Sequence, residues 1–339
     1  MALKTASYRR RYRSRRGGPV PVLIVILCVL CLLVAGVFLY QKFAEKGPDD
    51  ETRTPDSSAE QTQTDASGET DDTTQSGEGE SSAVPTGYVQ RFDADIHSGD
   101  LILVNSTAPF VFPENQELVT VMEKKSKGSY YVRDYSVLLT PVTMDAMDRL
   151  LVAFYEQSGN RVLNVVAGHR TAEFQQHLFD QSVERNGLEH AQRYVAQPGE
   201  SEHHTGLALD LSLYFSDGTS ADFIGTGEYQ FIDDHAADYG FVLRYPADKE
   251  HITGIGYESW HYRYVGYPHA KIIAEKKFCL EEYLEDLRQY SVSTPLSVSY
   301  DGQNYEIYYC AKDALFVPSE GTYTVSGNNM DGFIVTVTR

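Results

Sequence analysis

The chain has 339 residues, and 29 Lys and Arg face 48 Asp and Glu, for a formal net charge of −19 at pH 7. That balance excludes a protein that wraps nucleic acid with a basic surface. Length allows two ordinary domains, but the N-terminal quarter does not have a globular composition. Residues 1–19 form a basic tail containing Lys4, Arg9, Arg10, Arg11, Arg13, Arg15 and Arg16. Val20–Tyr40 is an almost unbroken apolar run without charge. About 20 helical residues at 1.5 Å each span a hydrocarbon core of ~30 Å. The run is therefore expected to be a single transmembrane helix. Positive charge is concentrated N-terminal to it, which places the N-terminus in the cytoplasm and the rest of the chain outside. A cleaved signal peptide is the rival reading. Its apolar region is usually only about 7–15 residues, and here bulky Phe38, Leu39 and Tyr40 continue the run.

Residues 41–87 are expected to be an acidic, disordered linker. From Gly47 they are rich in Asp, Glu, Ser, Thr, Gln and Gly and contain no aromatic side chain. Such a segment buries too little apolar surface to offset its conformational entropy. It reads as a tether between the membrane and an exported domain over residues 88–290, with a small β appendage over 291–339.

In the exported part, residues 99–105 read as an entering strand. Thr140-Pro141 opens a helix as N-cap and first-turn proline, with Met147, Leu150, Leu151 and Phe154 on one face and Gly159 as its stop. Val162–Ala167 reads as a buried strand ending at Gly168-His-Arg170. Thr171 caps a second helix, with Phe174, Leu178 and Phe179 inward and Gly187 as the stop. A helix is expected over 228–239, a strand over 241–245 and a helix over 269–290. Val298 and Tyr300 answer Tyr305, Ile307 and Tyr309 across Asp301-Gly302, a hairpin turn signal, and residues 333–338 alternate as a strand. This tail reads as a packing extension in preference to a wall-contacting module. Cys279 and Cys310 could pair outside the cell or stay buried thiols. The mixture of short strands and separate helices gives the α+β class.

The chemistry concentrates in Ser201-Glu-His-His-Thr-Gly-Leu-Ala-Leu-Asp210 and Glu258-Ser-Trp-His-Tyr-Arg-Tyr264. His203 and His261 offer nitrogen ligands and Asp210 an oxygen ligand. Three protein ligands with a fourth position open is the arrangement of a catalytic zinc site. Glu258, three residues before His261, is left as a general base. Leu207, Leu209 and Leu211 alternate with Ala208, Asp210 and Ser212, so Asp210 is expected on the strand face opposite the leucines. His204 is expected to point away from the metal. Arg170 sits at a strand-to-helix junction, a usual place for a substrate contact. No Cys-x-x-Cys lies outside the apolar run, which argues against a cysteine-based zinc site.

These segments resemble a known family. SEHHTGLALD resembles the SxHxxGxAxD signature of the VanY-type D-alanyl-D-alanine carboxypeptidases, and ESWHYRYVG resembles their ExWHxRYVG. Gly168-His-Arg-Thr171 with Gln175 resembles their GYRSxxxQ, and Val195-Ala-Gln-Pro-Gly199 their VAxPG. The resemblance covers roughly residues 95–275. His169 stands for the usual Tyr, Thr171 for Ser and Ser259 for Pro.

The resemblance implies a Hedgehog/DD-peptidase-like fold, a mostly antiparallel sheet with helices packed on one side. It implies a membrane-anchored zinc carboxypeptidase that trims the C-terminal D-Ala from peptidoglycan stem peptides. Glu258 would activate the zinc's water, and Arg170 would pair with the oxyanion or the substrate carboxylate. Gln175 and Ser201 match substrate-contacting positions. Two alternatives stay open: an L,D-carboxypeptidase acting on tetrapeptide stems, and a zinc-holding binding domain without catalysis. Glu258 argues against the second, because a purely structural zinc needs no positioned base.

Overall fold

The computed structural model describes residues 84–339. The basic tail, the apolar run and nearly all of the linker lie outside them. Among the described residues no helix is long and apolar enough to cross a membrane.

The strands in chain order are β1 (Tyr88–Arg91), β2 (Val119–Thr120), β3 (Tyr131–Val132), β4 (Leu138–Leu139), β5 (Leu163–Ala167), β6 (Ala208–Tyr214), β7 (Ser220–Asp222), β8 (Phe241–Leu243), β9 (His261–Tyr264), β10 (Leu296–Tyr300), β11 (Gln303–Ala311), β12 (Leu315–Pro318), β13 (Thr322–Gly327) and β14 (Gly332–Thr338). The central sheet runs β3-β5-β6-β9-β8, with β7 on β6, and all its pairs are antiparallel except β3 with β5. A second, fully antiparallel sheet runs β10-β11-β14-β13. The fold is the α+β arrangement expected.

Alternation gives the central sheet its two faces. Leu209, Leu211 and Leu213 of β6 and Tyr262 and Tyr264 of β9 enter one core with Met144, Met147, Leu150, Leu151 and Phe154. Those last five belong to the helix Pro141–Ser158, whose Thr140 hydroxyl accepts from the Thr143 amide and whose end is Gly159 in the left-handed region. Fully burying each such side chain stabilises by roughly 1.5–3 kcal/mol, so this face is committed to packing. The opposite face carries Ala208, Asp210, His261 and Arg263, because side chains two apart on a strand share a face. Fold and site are thus set by the same two-residue period.

Several local expectations change. Residues 99–105 form no strand. Leu101, Ile102, Leu103 and Val104 are buried, but side chains take up much of their backbone bonding. Arg263 Nη2 donates to the Asp100 and Ile102 carbonyls, and Asn329 Nδ2 to the Leu103 carbonyl. The helix expected over 269–290 is two, His269–Lys276 and Leu280–Leu287, broken where Lys277 takes a left-handed conformation. The helix over 228–239 is a central turn, Gln230–His235, flanked by 3₁₀ segments.

The second long helix is Ala172–Asn186, capped by Thr171 as expected, but Phe174 is exposed and the buried residues are the polar Gln175 and Ser182. This helix borders a cleft instead of roofing a core. Asp301 and Gly302 both take positive φ in the β10–β11 turn, the geometry of the expected hairpin. Packing crosses the 290/291 boundary drawn from the sequence. β1 pairs with β12, and Ile307 and Ile334 share a core with Leu101, Val265 and Leu284. Cys279 and Cys310 are free, buried thiols.

Candidate metal centre

The register of β6 on β9 sets Asp210 directly opposite His261. Directly opposed residues share a face with Cβ atoms about 4.5–5.5 Å apart, so a pairing across fifty residues of sequence becomes a contact. His203 comes from the 3₁₀ turn Glu202–Thr205, which ends at Gly206. Gly206 has φ +70°, and a Cβ there would lie 2.7 Å from Leu118 Cδ2. Only glycine turns the chain this tightly from His203 into β6.

Three donor atoms converge. Asp210 Oδ1 lies 3.3 Å from His203 Nε2 and 3.2 Å from His261 Nδ1. His203, Asp210 and His261 form the one set among the described residues whose ligand atoms gather closely enough for a metal ion. All three are buried. Asp210 Oδ1 is sealed from solvent without a hydrogen-bond partner, whereas Oδ2 accepts from Arg170 Nη2 at 2.6 Å. A buried carboxylate oxygen left unpaired is costly, and a cation between the two imidazoles would satisfy it. Two nitrogens and one oxygen are a donor set that suits zinc.

The surroundings orient the ligands. His203 Nδ1 donates to the Gly168 carbonyl at 2.7 Å, leaving the Nε2 lone pair for a ligand. Gly168 is itself obligatory, because a Cβ there would lie 2.2 Å from the Leu138 carbonyl oxygen. His204 donates through Nδ1 to the Arg170 carbonyl and accepts from the Gly199 amide at Nε2. It is a hydrogen-bonded core residue. Its turn is helical, not extended as the sequence suggested, so hydrogen bonding and not strand alternation turns it away from the cluster of His203, Asp210 and His261.

Glu258 Oε2 lies 3.5 Å from His261 Nδ1. Its turn is pinned by Ser259, whose hydroxyl donates to the Phe223 carbonyl at 2.6 Å. The serine thus anchors this turn where the family usually has proline.

Charge follows packing. Burial pushes the Glu258 carboxyl up to about 7. Burial pulls the His203 imidazole down to about 4, helped by the Arg170 charge. For Asp210 burial works the other way, but His203 and Arg170 outweigh it and hold the carboxylate well below its ordinary range. For His261 burial favours the neutral ring, but the Asp210 and Glu202 carboxylates beside it override that and raise the imidazole to about 9.

A cleft of about 340 Å³ opens over the cluster. Arg170, Gln175 and Ser201 line it, so every site residue expected from the sequence is gathered there. Arg170 touches Asp210 through Nη2, while its Nη1 and Nε have no hydrogen bond to the described residues. Gln175 Nε2 donates to the Ala196 carbonyl, and its Oε1 is buried without a partner. Sequence reasoning missed Glu202, Arg244, Arg263 and Glu281, which form an ion network behind His261. The available signal was Arg263. It alternates into the same face as His261 in an otherwise aromatic strand, and a buried charge demands a counter-charge.

The family described as VanY: D-alanyl-D-alanine carboxypeptidase matches residues 137–267, which contain every one of the site residues named from the sequence. A D-alanyl-D-alanine carboxypeptidase of Enterococcus faecium is 35% identical over 255 residues, 72% of this chain and 77% of that protein. The bifunctional D-Ala-D-Ala dipeptidase and D-Ala-D-Ala carboxypeptidase VanXYC of Enterococcus gallinarum is 38% identical over 167 residues, 46% of this chain and 82% of that one. The crystal structure of the vancomycin resistance D,D-dipeptidase VanXYg, in complex with a D-Ala-D-Ala phosphinate analog, is similar with a TM-score of 0.65 and 35% identity. It covers 74% of this chain and 98% of that one. With this identity and coverage, and with both motifs meeting at one cluster, the chain belongs to the VanY D-alanyl-D-alanine carboxypeptidase family.

Proposed function

We propose that this protein is a zinc D-alanyl-D-alanine carboxypeptidase that removes the C-terminal D-Ala from peptidoglycan stem peptides. The observation that carries the reading is the convergence of His203 Nε2, Asp210 Oδ1 and His261 Nδ1 beneath a cleft, with Glu258 beside them. The D,D activity is the one for which its relatives are named. Zinc, when bound, supplies Lewis acidity that makes water nucleophilic near neutral pH and polarises a carbonyl oxygen.

The chain's own residues do the rest. Glu258 takes a proton from the attacking water at a carboxylate oxygen and returns it to the departing D-Ala amine. Its buried position against His261 keeps bulk water from competing for that proton. Arg170 fixes Asp210 through Nη2 and turns Nη1 and Nε toward the substrate, where a charged fork suits the terminal carboxylate. Gln175 and Ser201 line the same cleft and hold the stem backbone.

A reaction confined to a free chain end should distinguish acid from amide. The wild-type enzyme is expected to cleave a stem pentapeptide ending in a free carboxylate about tenfold to hundredfold more efficiently than its C-terminal amide. That is the effect of losing one charge-assisted hydrogen bond of roughly 1.5–3 kcal/mol. Matched kcat/KM values decide it, and equal values would mark an endopeptidase. The wild-type comparison is cleaner than Arg170→Ala, which would also release Asp210.

We further propose that Val20–Tyr40 anchors the protein as a single span, with residues 41–87 as tether, the N-terminus inside and the catalytic part outside. The uncharged apolar run and its basic N-terminal flank support this. Protease added to intact protoplasts is expected to release the catalytic part into the medium. A protected catalytic part would contradict it.

A further inference from the structure

Behind His261, away from the cleft, lie three charged side chains with almost no solvent exposure: Glu202 and Arg244 at 1% and Arg263 at 0%. Glu202 Oε1 accepts from Arg244 Nε at 2.7 Å and from Arg263 Nη1 at 2.8 Å. Arg244 then forks onto Glu281 through Nη1 at 2.9 Å and Nη2 at 2.7 Å. Arg263 places Nη2 on the carbonyls of Asp100 and Ile102 and Nε on that of Tyr264. Both guanidinium contacts therefore fall on one oxygen of Glu202.

Its other oxygen is an orphan, and so is one nitrogen of His261. Glu202 Oε2 and His261 Nε2 are both sealed from solvent, and neither has a hydrogen-bond partner. They stand 3.5 Å apart. A buried donor and a buried acceptor with nothing else in reach are partners to each other, and a few tenths of an ångström bring them to a normal bond length. The remaining nitrogen, Nδ1, faces Asp210 Oδ1 and Glu258 Oε2.

We infer that Glu202 is a positioning residue that selects the metal-binding nitrogen of His261. By accepting Nε2–H it keeps the Nδ1 lone pair on the side of Asp210 and His203, and a carboxylate in this role also strengthens the imidazole as a ligand. The inference rests on the zinc reading of the site. The two histidines are then held in opposite tautomers. His203 rests its Nδ1–H on a neutral carbonyl and offers Nε2, while His261 rests its Nε2–H on a carboxylate and offers Nδ1. Two arginines fix that carboxylate, and Glu281, on the helix Leu280–Leu287, fixes one of the arginines. Support for the metal thus reaches beyond residues 137–267, the part that matches the family.

Two measurements on the full chain test this. Zinc affinity is read by competition with a chromophoric chelator in the wild type and in Glu202→Gln, which keeps the shape and removes the charge. The dissociation constant of the folded variant is expected to rise about tenfold to hundredfold. An unchanged constant at one zinc per chain would overturn the role of Glu202 and leave the zinc site standing. No zinc uptake by the wild type would instead overturn the zinc reading, and this inference with it. A merely structural Glu202 would lower the melting temperature of the metal-free protein without moving the constant.

The second measurement needs no variant, so it decides even where Glu202→Gln does not fold. Nitrogen-15 histidine spectra of the zinc-loaded wild type are expected to show His261 with Nε2 protonated and Nδ1 on the metal, and His203 the reverse. A His261 bound through Nε2 would contradict the inference.

Discussion

Glu258→Gln is expected to lower turnover of a stem pentapeptide by about 10² to 10⁴, the usual contribution of a positioned acid–base group, while one zinc per chain remains bound. Glutamine keeps the volume and the hydrogen-bonding shape and removes only the ability to take a proton. Zinc should stay because Glu258 is not in the converging set of His203, Asp210 and His261. Burial pushes the Glu258 carboxyl up to about 7 in the metal-free protein, and a neighbouring cation favours its charged form again. With zinc bound, Glu258 would then be an ionised but poorly solvated carboxylate at neutral pH. Metal analysis and steady-state kinetics on the same preparation check both halves. Turnover near the wild type would remove Glu258 from the mechanism.

His203→Ala and His261→Ala are expected to lose zinc, and with it turnover down to background. Each removes one of three protein ligands, and the two that remain leave the ion to solvent. The pH dependence of zinc uptake follows from His261. In the metal-free wild type, the neighbouring Asp210 and Glu202 carboxylates overcome burial and raise that imidazole to about 9. Below about 9 a proton competes with the metal for Nδ1, and above it the nitrogen is free. Zinc affinity should therefore rise with pH toward about 9, and uptake at pH 7 should release more than one proton per zinc, about one from His261 and about half of one from Glu258. An indicator dye in weak buffer measures the release. Full zinc content in either alanine variant would mean that the ligands are wrongly chosen, and uptake without proton release would mean that His261 is already neutral in the metal-free protein.

That His203, Asp210, Glu258 and His261 belong to one cluster was legible in the sequence because each pair sits within one short segment, and the strand period assigns faces. Asp210 opposite the leucines of β6 followed from alternation alone. The pairing of Asp210 with His261 was not legible, since it depends on a register between strands some fifty residues apart. Nor was the Glu202 network. Arg244 and Glu281 belong to different elements, and only folding makes them neighbours of residue 202.

The misread elements have separate causes. Residues 99–105 have the apolar content of a strand, yet Arg263 and Asn329 side chains take much of the bonding that a neighbouring strand would supply. Phe174 follows helical spacing, but its helix faces a cleft, so the period does not tell inward from outward. The break at Lys277 is a positive φ at a non-glycine residue, for which composition carries no sign.

Anomalous diffraction at the zinc edge, on crystals of the zinc-loaded protein, tests the central claim most directly. A single strong peak is expected within bonding distance of His203 Nε2, Asp210 Oδ1 and His261 Nδ1, about 2.0–2.2 Å from each, with Glu258 beside it and not bonded. A peak bonded elsewhere, or none at that cluster in protein shown to cleave the stem peptide, would contradict it.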